Sequence, residues 1–107
     1  MAKRPGRRVA LHVERSIDAG LGWTVSEPNG EPLWGAVRAQ MGAFLHRLFQ
    51  AGAFAGTTAR DAYFVKCDAE TTTQDDLDAG RLVALVGFAP LKPAEFVHIR
   101  IERLLAA

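Results

Sequence analysis

The stretch from Phe96 to Arg103 alternates: Val97, Ile99 and Ile101 are apolar, and His98, Arg100 and Glu102 between them are polar or charged. A period of two marks a strand with one buried and one wet face. Such a strand must be hydrogen-bonded into a sheet, and this one stands at the end of the sequence behind a Pro-containing linker. Its pattern demands a partner without obliging that partner to lie in the same chain. Leu82 to Phe88 (Leu-Val-Ala-Leu-Val-Gly-Phe) is apolar on both faces, as a central strand covered on each side should be, and Pro90 and Pro93 break it off. Ala62 to Cys67 (Ala-Tyr-Phe-Val-Lys-Cys) is rich in β-formers and predicts a further strand.

Helical periodicity comes earlier in the chain. Val9, Val13 and Ile17 recur every four residues, which predicts a short amphipathic helix over 9–19 that Gly20 and Gly22 stop. Trp23-Thr24-Val25 reads as a brief extended piece, and Glu27-Pro28-Asn29-Gly30 as a turn. From Pro32 to about Gln50, Leu33, Trp34, Val37, Met41, Phe44, Leu45, Leu48 and Phe49 form a wide apolar stripe. Pro32 suits a first helical turn, Glu31 suits the positive end of the helix dipole, and Gly52 supplies a left-handed residue after the last turn. Gly35 and Gly42 inside this helix are expected to permit close approach of another backbone, and Trp23 and Trp34 to anchor the core. Residues 68–80 read as a polar loop holding one capped helical turn. The fold class is therefore α+β: two main helices packed on a small, mostly antiparallel sheet, in a single domain over 1–107.

Such a short chain has a thin stability margin, so help from a partner is in keeping with its size. A net charge of +1 selects no class of partner. Lys3, Arg4, Arg7 and Arg8 lack interleaved aromatics and a following recognition module, so 1–8 reads as a flexible basic leader rather than a nucleic-acid site. A single cysteine, Cys67, precludes an intrachain disulfide and fits a reducing compartment. No apolar segment resembles a secretory signal or reaches the roughly 18 residues of a membrane span. A soluble protein made in a cytoplasm is expected.

No constellation points to catalysis. Asp68, Glu70, Asp75, Asp76 and Asp78 lack the glycine and closing glutamate of a calcium loop. Cys67 lies in a strand without a nucleophile signature, and His12, His46 and His98 stand at no metal-ligand spacing. Gly52-Ala-Phe-Ala-Gly56 lacks the Lys-Ser/Thr of a phosphate loop. The expectation is no enzyme, no metal and no cofactor. What does emerge is an open-edged sheet with a detachable terminal strand, the setting for β-augmentation between chains. The alternative is a small stand-alone protein-binding domain that folds its C-terminal strand in cis.

Several segments, in order, add a family resemblance: Val13-Glu14-Arg15-Ser16-Ile17, Trp23-Thr24-Val25-Ser26-Glu27-Pro28-Asn29, Leu33-Trp34, Phe44-Leu45 through Gly52-Ala53-Phe54-Ala55-Gly56, Ala62-Tyr63-Phe64-Val65-Lys66-Cys67-Asp68, Glu70-Thr71-Thr72, Asp78-Ala79-Gly80-Arg81-Leu82, and Gly87-Phe88-Ala89-Pro90 with Pro93-Ala94-Glu95-Phe96. Over about 8–103 the chain resembles the C-terminal domain of contractile tail sheath proteins of myophages and phage-tail-like particles. The resemblance implies a structural module that polymerises around an inner tube, its sheet completed by strands from neighbouring subunits, and that supports contraction of a metastable lattice. The receiving sheet would be Tyr63–Cys67 with Leu82–Phe88, and the donated arm Phe96–Leu104 within a C-terminal strand or arm over 94–107. The implied assembly interface is Tyr63, Val65, Leu82, Ala84, Val86, Phe96, Val97, Ile99, Arg100, Ile101, Glu102 and Arg103. Val97, Ile99 and Ile101 would be the buried face of the exchanged strand, and Arg100, Glu102 and Arg103 rim contacts that set register.

Implied partners are other copies of the subunit, the inner tail tube protein, and baseplate and terminator proteins, with no nucleic acid and no membrane insertion. The implied location is a virion tail or phage-tail-like particle assembled in the bacterial cytoplasm. Two departures stand out. Ser26 occupies a position where the family pattern has an aromatic residue, and sheath subunits are normally several hundred residues long. The expectation is an excised domain or a short relative, without the outer domains.

Overall fold

The computed structural model describes residues 5–91 and 96–106, with side chains from residue 9 onward. Residues 1–4 of the expected leader, and Pro93, Ala94 and Glu95 at the root of the expected arm, lie outside the described residues.

Helix α1 runs Pro5–Gly20, four residues earlier than the periodicity alone marks, so residues 5–8 of the expected leader are helical backbone. Val13 and Ile17 are buried on its inner face, with Val9 and Ala10 half-buried beside them. Trp23-Thr24-Val25 is not extended but lies in a 3-10 helix, Gly22–Ser26. The turn closes on local bonds: Thr24 N–H and hydroxyl both donate to Leu21 O, and Glu27 N–H to Thr24 O. A threonine hydroxyl that reaches back three residues offers the backbone an alternative to a ladder. Trp23 is correspondingly half-exposed at 41%, its indole N–H donating to Gln40 Oε1, and only Trp34 is a core anchor.

Helix α2, Glu31–Gln50, starts from Gly30 in extended conformation, with Pro32 in its first turn and Glu31 paired to Arg38 at 2.7 Å. Leu33, Trp34, Val37, Met41 and Leu45 are buried, and Phe44, Leu48 and Phe49 pack against them. Gly52 (φ 82°) ends the helix and donates to Phe49 O at 3.0 Å. The close approach expected at Gly42 is absent, since a Cβ there would meet nothing within 4 Å. At Gly35 it would meet only an arginine side chain at an ordinary 3.5 Å.

A one-turn helix α3, Ala59–Ala62, leads into β1, Tyr63–Lys66; helix α4, Gln74–Asp78, leads into β2, Arg81–Phe88; and β3, Val97–Leu104, follows. The sheet is antiparallel throughout in the order β1-β2-β3. Leu82, Ala84, Val86 and Phe88 of β2 and Ile99 and Ile101 of β3 join the buried side chains of α1 and α2 in one core. Burying each such side chain contributes roughly 1.5–3 kcal/mol. The two helices thus cover one face of the sheet. On the opposite face Val83 is buried apart from that core, where α4 packs on β2.

Candidate functional site

The central strand β2 has two edges, and they are satisfied differently. On one side β3 runs along its full length, pairing Arg81↔Leu104 through Leu85↔Arg100 to Phe88↔Val97. On the other side β1 is half as long and reaches only Leu85 to Phe88. Buried backbone groups left without partners are costly, so the remainder of that edge must be closed by something else. Two side chains close it. Asn29 Nδ2 donates to Arg81 O at 2.8 Å, and Asn29 Oδ1 accepts from Trp34 Nε1 at 2.9 Å. The Thr72 hydroxyl accepts from Val83 N–H at 2.9 Å and donates to Val83 O at 3.1 Å.

Both plugs are held by local structure. Asn29 belongs to the turn ahead of α2. Thr72 precedes Thr73, the N-cap of α4, in a reciprocal capping box: the Thr73 side chain accepts from Asp76 N–H and the Asp76 carboxylate accepts from Thr73 N–H at 2.9 Å. That carboxylate also accepts from the Thr73 hydroxyl at 2.8 Å and from Arg81 Nε at 2.9 Å. These bonds, the Thr73 backbone N–H first, hold the Asp76 carboxyl down at about 2. The acidic segment singled out in the sequence therefore builds a cap and an edge plug. Among the described residues, no group of three or more His, Cys, Asp or Glu is placed to hold a metal.

The residues expected at an assembly interface fall into two sets. Leu82, Ala84, Val86, Ile99 and Ile101 are buried in this chain's own core, with Val65 and Val97 half-buried at its margin. Tyr63 is half-buried too, its hydroxyl 2.8 Å from His46 Nδ1. Their side chains already have partners in cis. In the second set Arg100, Glu102 and Phe96 face outward, and Arg103 stands half-buried opposite Leu82 at the margin of the helix-covered face. Arg100 pairs with Glu102, Glu102 lies 3.5 Å from Arg81, and Arg103 reaches Asp18 of α1 at 3.6 Å. Phe96 is 39% exposed. Beyond β3 the backbone stays engaged, with Leu105 N–H donating to Gly80 O at 2.8 Å and Ala106 N–H to Val25 O at 2.7 Å.

Sequence reasoning missed Asn29 and Thr72. The Glu-Pro-Asn-Gly turn and the triple threonine were visible, but the carbonyl that Asn29 holds lies 52 residues away. Cys67 is buried just beyond β1, and burial pushes its thiol up to about 11, the wrong direction for a nucleophile.

The sheet thus has three strands among the described residues, with one edge of its central strand partly closed by side chains. Residues 1–103 match the family described as Phage tail sheath C-terminal domain. The chain belongs to this family. The resemblance drawn from the sequence is thereby borne out at the level of the family, whose members are structural sheath components. Among solved structures, this sheath domain is similar to a chain in the six-fold symmetrised cryo-EM structure of the anti-feeding prophage baseplate. That match has 38% identity, a TM-score of 0.76 and 91% coverage of the present chain. It is also similar to a chain of the sheath complex of an extracellular contractile injection system, PVC, in the contracted state, with 40% identity, a TM-score of 0.75 and 89% coverage. The sheath domain spans 27% of the length of each of those chains. No curated protein matches the sequence.

Proposed function

We propose that this domain links subunits of a contractile tail sheath around an inner tube by exchanging its C-terminal strand, so that neighbours stay connected while the lattice contracts. One observation carries the reading: β3 is an edge strand whose eight residues complete a sheet that has two other strands among the described residues. Its inner face of Val97, Ile99 and Ile101 is built to fill a sheet, and another subunit's β1 and β2 would present the same surface. The plugs at Asn29 and Thr72 support it further, because they close part of β2 to strand addition and leave the flanks of β1 and β3 for backbone from outside. Partners under this reading are other sheath subunits, the tube protein, and baseplate and terminator proteins, in a tail particle assembled in the bacterial cytoplasm.

The pairing of β3 with β2 in cis favours a second reading, a stand-alone protein-binding domain that satisfies its own sheet. Cysteines at Leu85 and Arg100, which stand opposite each other on the outer face, separate the two. In assembled particles, exchange predicts that oxidation links subunits into a covalent ladder on a non-reducing gel. Crosslinks confined to single subunits would refute exchange.

A further inference from the structure

On the face of the sheet away from the helices, three rings crowd around one position. Phe64 of β1 and Phe96 at the root of β3 lie parallel, with centroids 5.8 Å and planes 1° apart. The His98 ring packs 5.3 Å from Phe96 and 5.8 Å from Phe64. Between them lies Gly87, the one glycine in the three strands, opposite Phe64 on one side and His98 on the other. It is buried because the rings cover it. A Cβ at Gly87 would come within 2.5 Å of Phe96 Cε2 and closer still to Phe64. Glycine inside a strand marks a close approach, here of rings.

The aliphatic row of β3 does not by itself fix the register. A slip of one residue turns Val97, Ile99 and Ile101 outward and is excluded by their burial. Slips of two residues keep them inward. In one direction Arg103, which stands opposite Leu82 and reaches Asp18 at 3.6 Å, moves one pair deeper, opposite Ala84, and its guanidinium is drawn from that carboxylate into the core. In the other, Val97, Ile99 and Ile101 come opposite Val86, Ala84 and Leu82 and stay in aliphatic pairs, while buried Phe88 loses Val97 and comes opposite position 95, a glutamate in the sequence. The aliphatic row accepts that slip, and its cost falls at the Phe88 end alone.

We propose that Gly87, Phe64 and Phe96 form the register lock of the C-terminal strand. The slip carries Phe96 along its strand by about 7 Å, further than the 5.8 Å between its ring centre and that of Phe64. It also brings Phe96 directly opposite Gly87, into space the Phe64 ring already covers. Phe96 is a positioning residue: it fixes where the strand stops, whether the strand is the chain's own or a neighbour's. Only the question of which chain supplies the strand rests on the exchange reading.

Cross-strand nuclear Overhauser contacts in the labelled full chain read the register directly. The wild type should show Leu85–Arg100 contacts, with Leu85–His98 contacts at the detection limit. In Phe96→Ala the slipped set should rise by roughly tenfold, the weight of a strong aromatic pair, and Phe96→Tyr, which keeps the stack, should restore a single register. Should Phe96→Ala fail to fold, Phe96→Leu keeps bulk without the stack and is read in the same way. A single, unslipped register in the variant that folds overturns the lock. Isotope filtering on mixed labelled and unlabelled chains tests the separate point: contacts found only within one chain count against exchange and leave the lock standing.

Discussion

Replacing Thr72 with valine isolates what a side-chain edge plug contributes. The substitution keeps volume and branching and deletes only the hydroxyl. Thr72 is 1% exposed and Val83 is 2% exposed, so water does not simply take the vacated place. Val83 then loses the acceptor of its N–H at 2.9 Å and the donor to its C=O at 3.1 Å. Leaving one buried polar group unpaired costs about 1–3 kcal/mol, so two groups together cost about 2–6 kcal/mol. An extra buried methyl offsets roughly 0.8 kcal/mol of that, leaving a net loss of about 1–5 kcal/mol. A domain of this size holds about 5–15 kcal/mol in all. Thr72→Ser is the matched control, since it keeps the hydroxyl and loses a methyl group, at about 1 kcal/mol. Urea unfolding followed by the fluorescence of buried Trp34 measures both variants, and hydrogen exchange at the Val83 amide reports the local opening. The expected order of stability is wild type, then Thr72→Ser, then Thr72→Val, so that the most hydrophobic of the three side chains is the least stable. A Thr72→Val variant as stable as Thr72→Ser, with Val83 protection unchanged, refutes the plug.

Three further outcomes follow from the same geometry. The Asp76 carboxyl is held at about 2 when folded, against about 3.9 unfolded, so its contribution is complete above pH 4 and is lost as pH falls toward 2. Asp76→Asn should flatten the melting-temperature profile between pH 4 and 2, and a profile that still falls as steeply as wild type refutes this. Ile101→Ala, 3% exposed in the core, should cost about 3 kcal/mol by denaturant titration, whereas Leu104→Ala, 73% exposed, should change stability by less than about 0.5 kcal/mol. Equal effects would mean that β3 contributes nothing to the core. Cys67, buried and with its thiol raised to about 11, should react with a disulfide reagent at pH 8 only as fast as the domain opens, and labelling within seconds of mixing contradicts its burial.

Where residues carried a long period or a strict alternation, the fold was legible beforehand. The stripe from Leu33 to Phe49 marks α2, the doubly apolar Leu82–Phe88 marks a central strand, and Val97–Arg103 reads as half-wet. Short segments were less readable. The β-forming triplet Trp23-Thr24-Val25 closes into a 3-10 turn, because the Thr24 hydroxyl bonds back to Leu21 O and local bonding outweighs side-chain propensity. The candidate site was half legible. Alternation identified the strand, while the plugs at Asn29 and Thr72 and the rings over Gly87 depend on register between distant segments, which single-residue patterns do not encode.

The cis pairing of β3 has an energetic corollary. A neighbour's strand in the same register would make the same eight backbone pairs and fill the same aliphatic row, so self-closure and linkage differ by almost no contact. What separates them is that one strand is tethered to its own sheet, together with the local density of other copies. Tethered competition of this kind is equivalent to a millimolar or higher concentration of the chain's own strand. On the exchange reading proposed above, a dilute domain would keep its strand to itself, and crowding on a ring of like subunits would tip the balance toward a shared lattice.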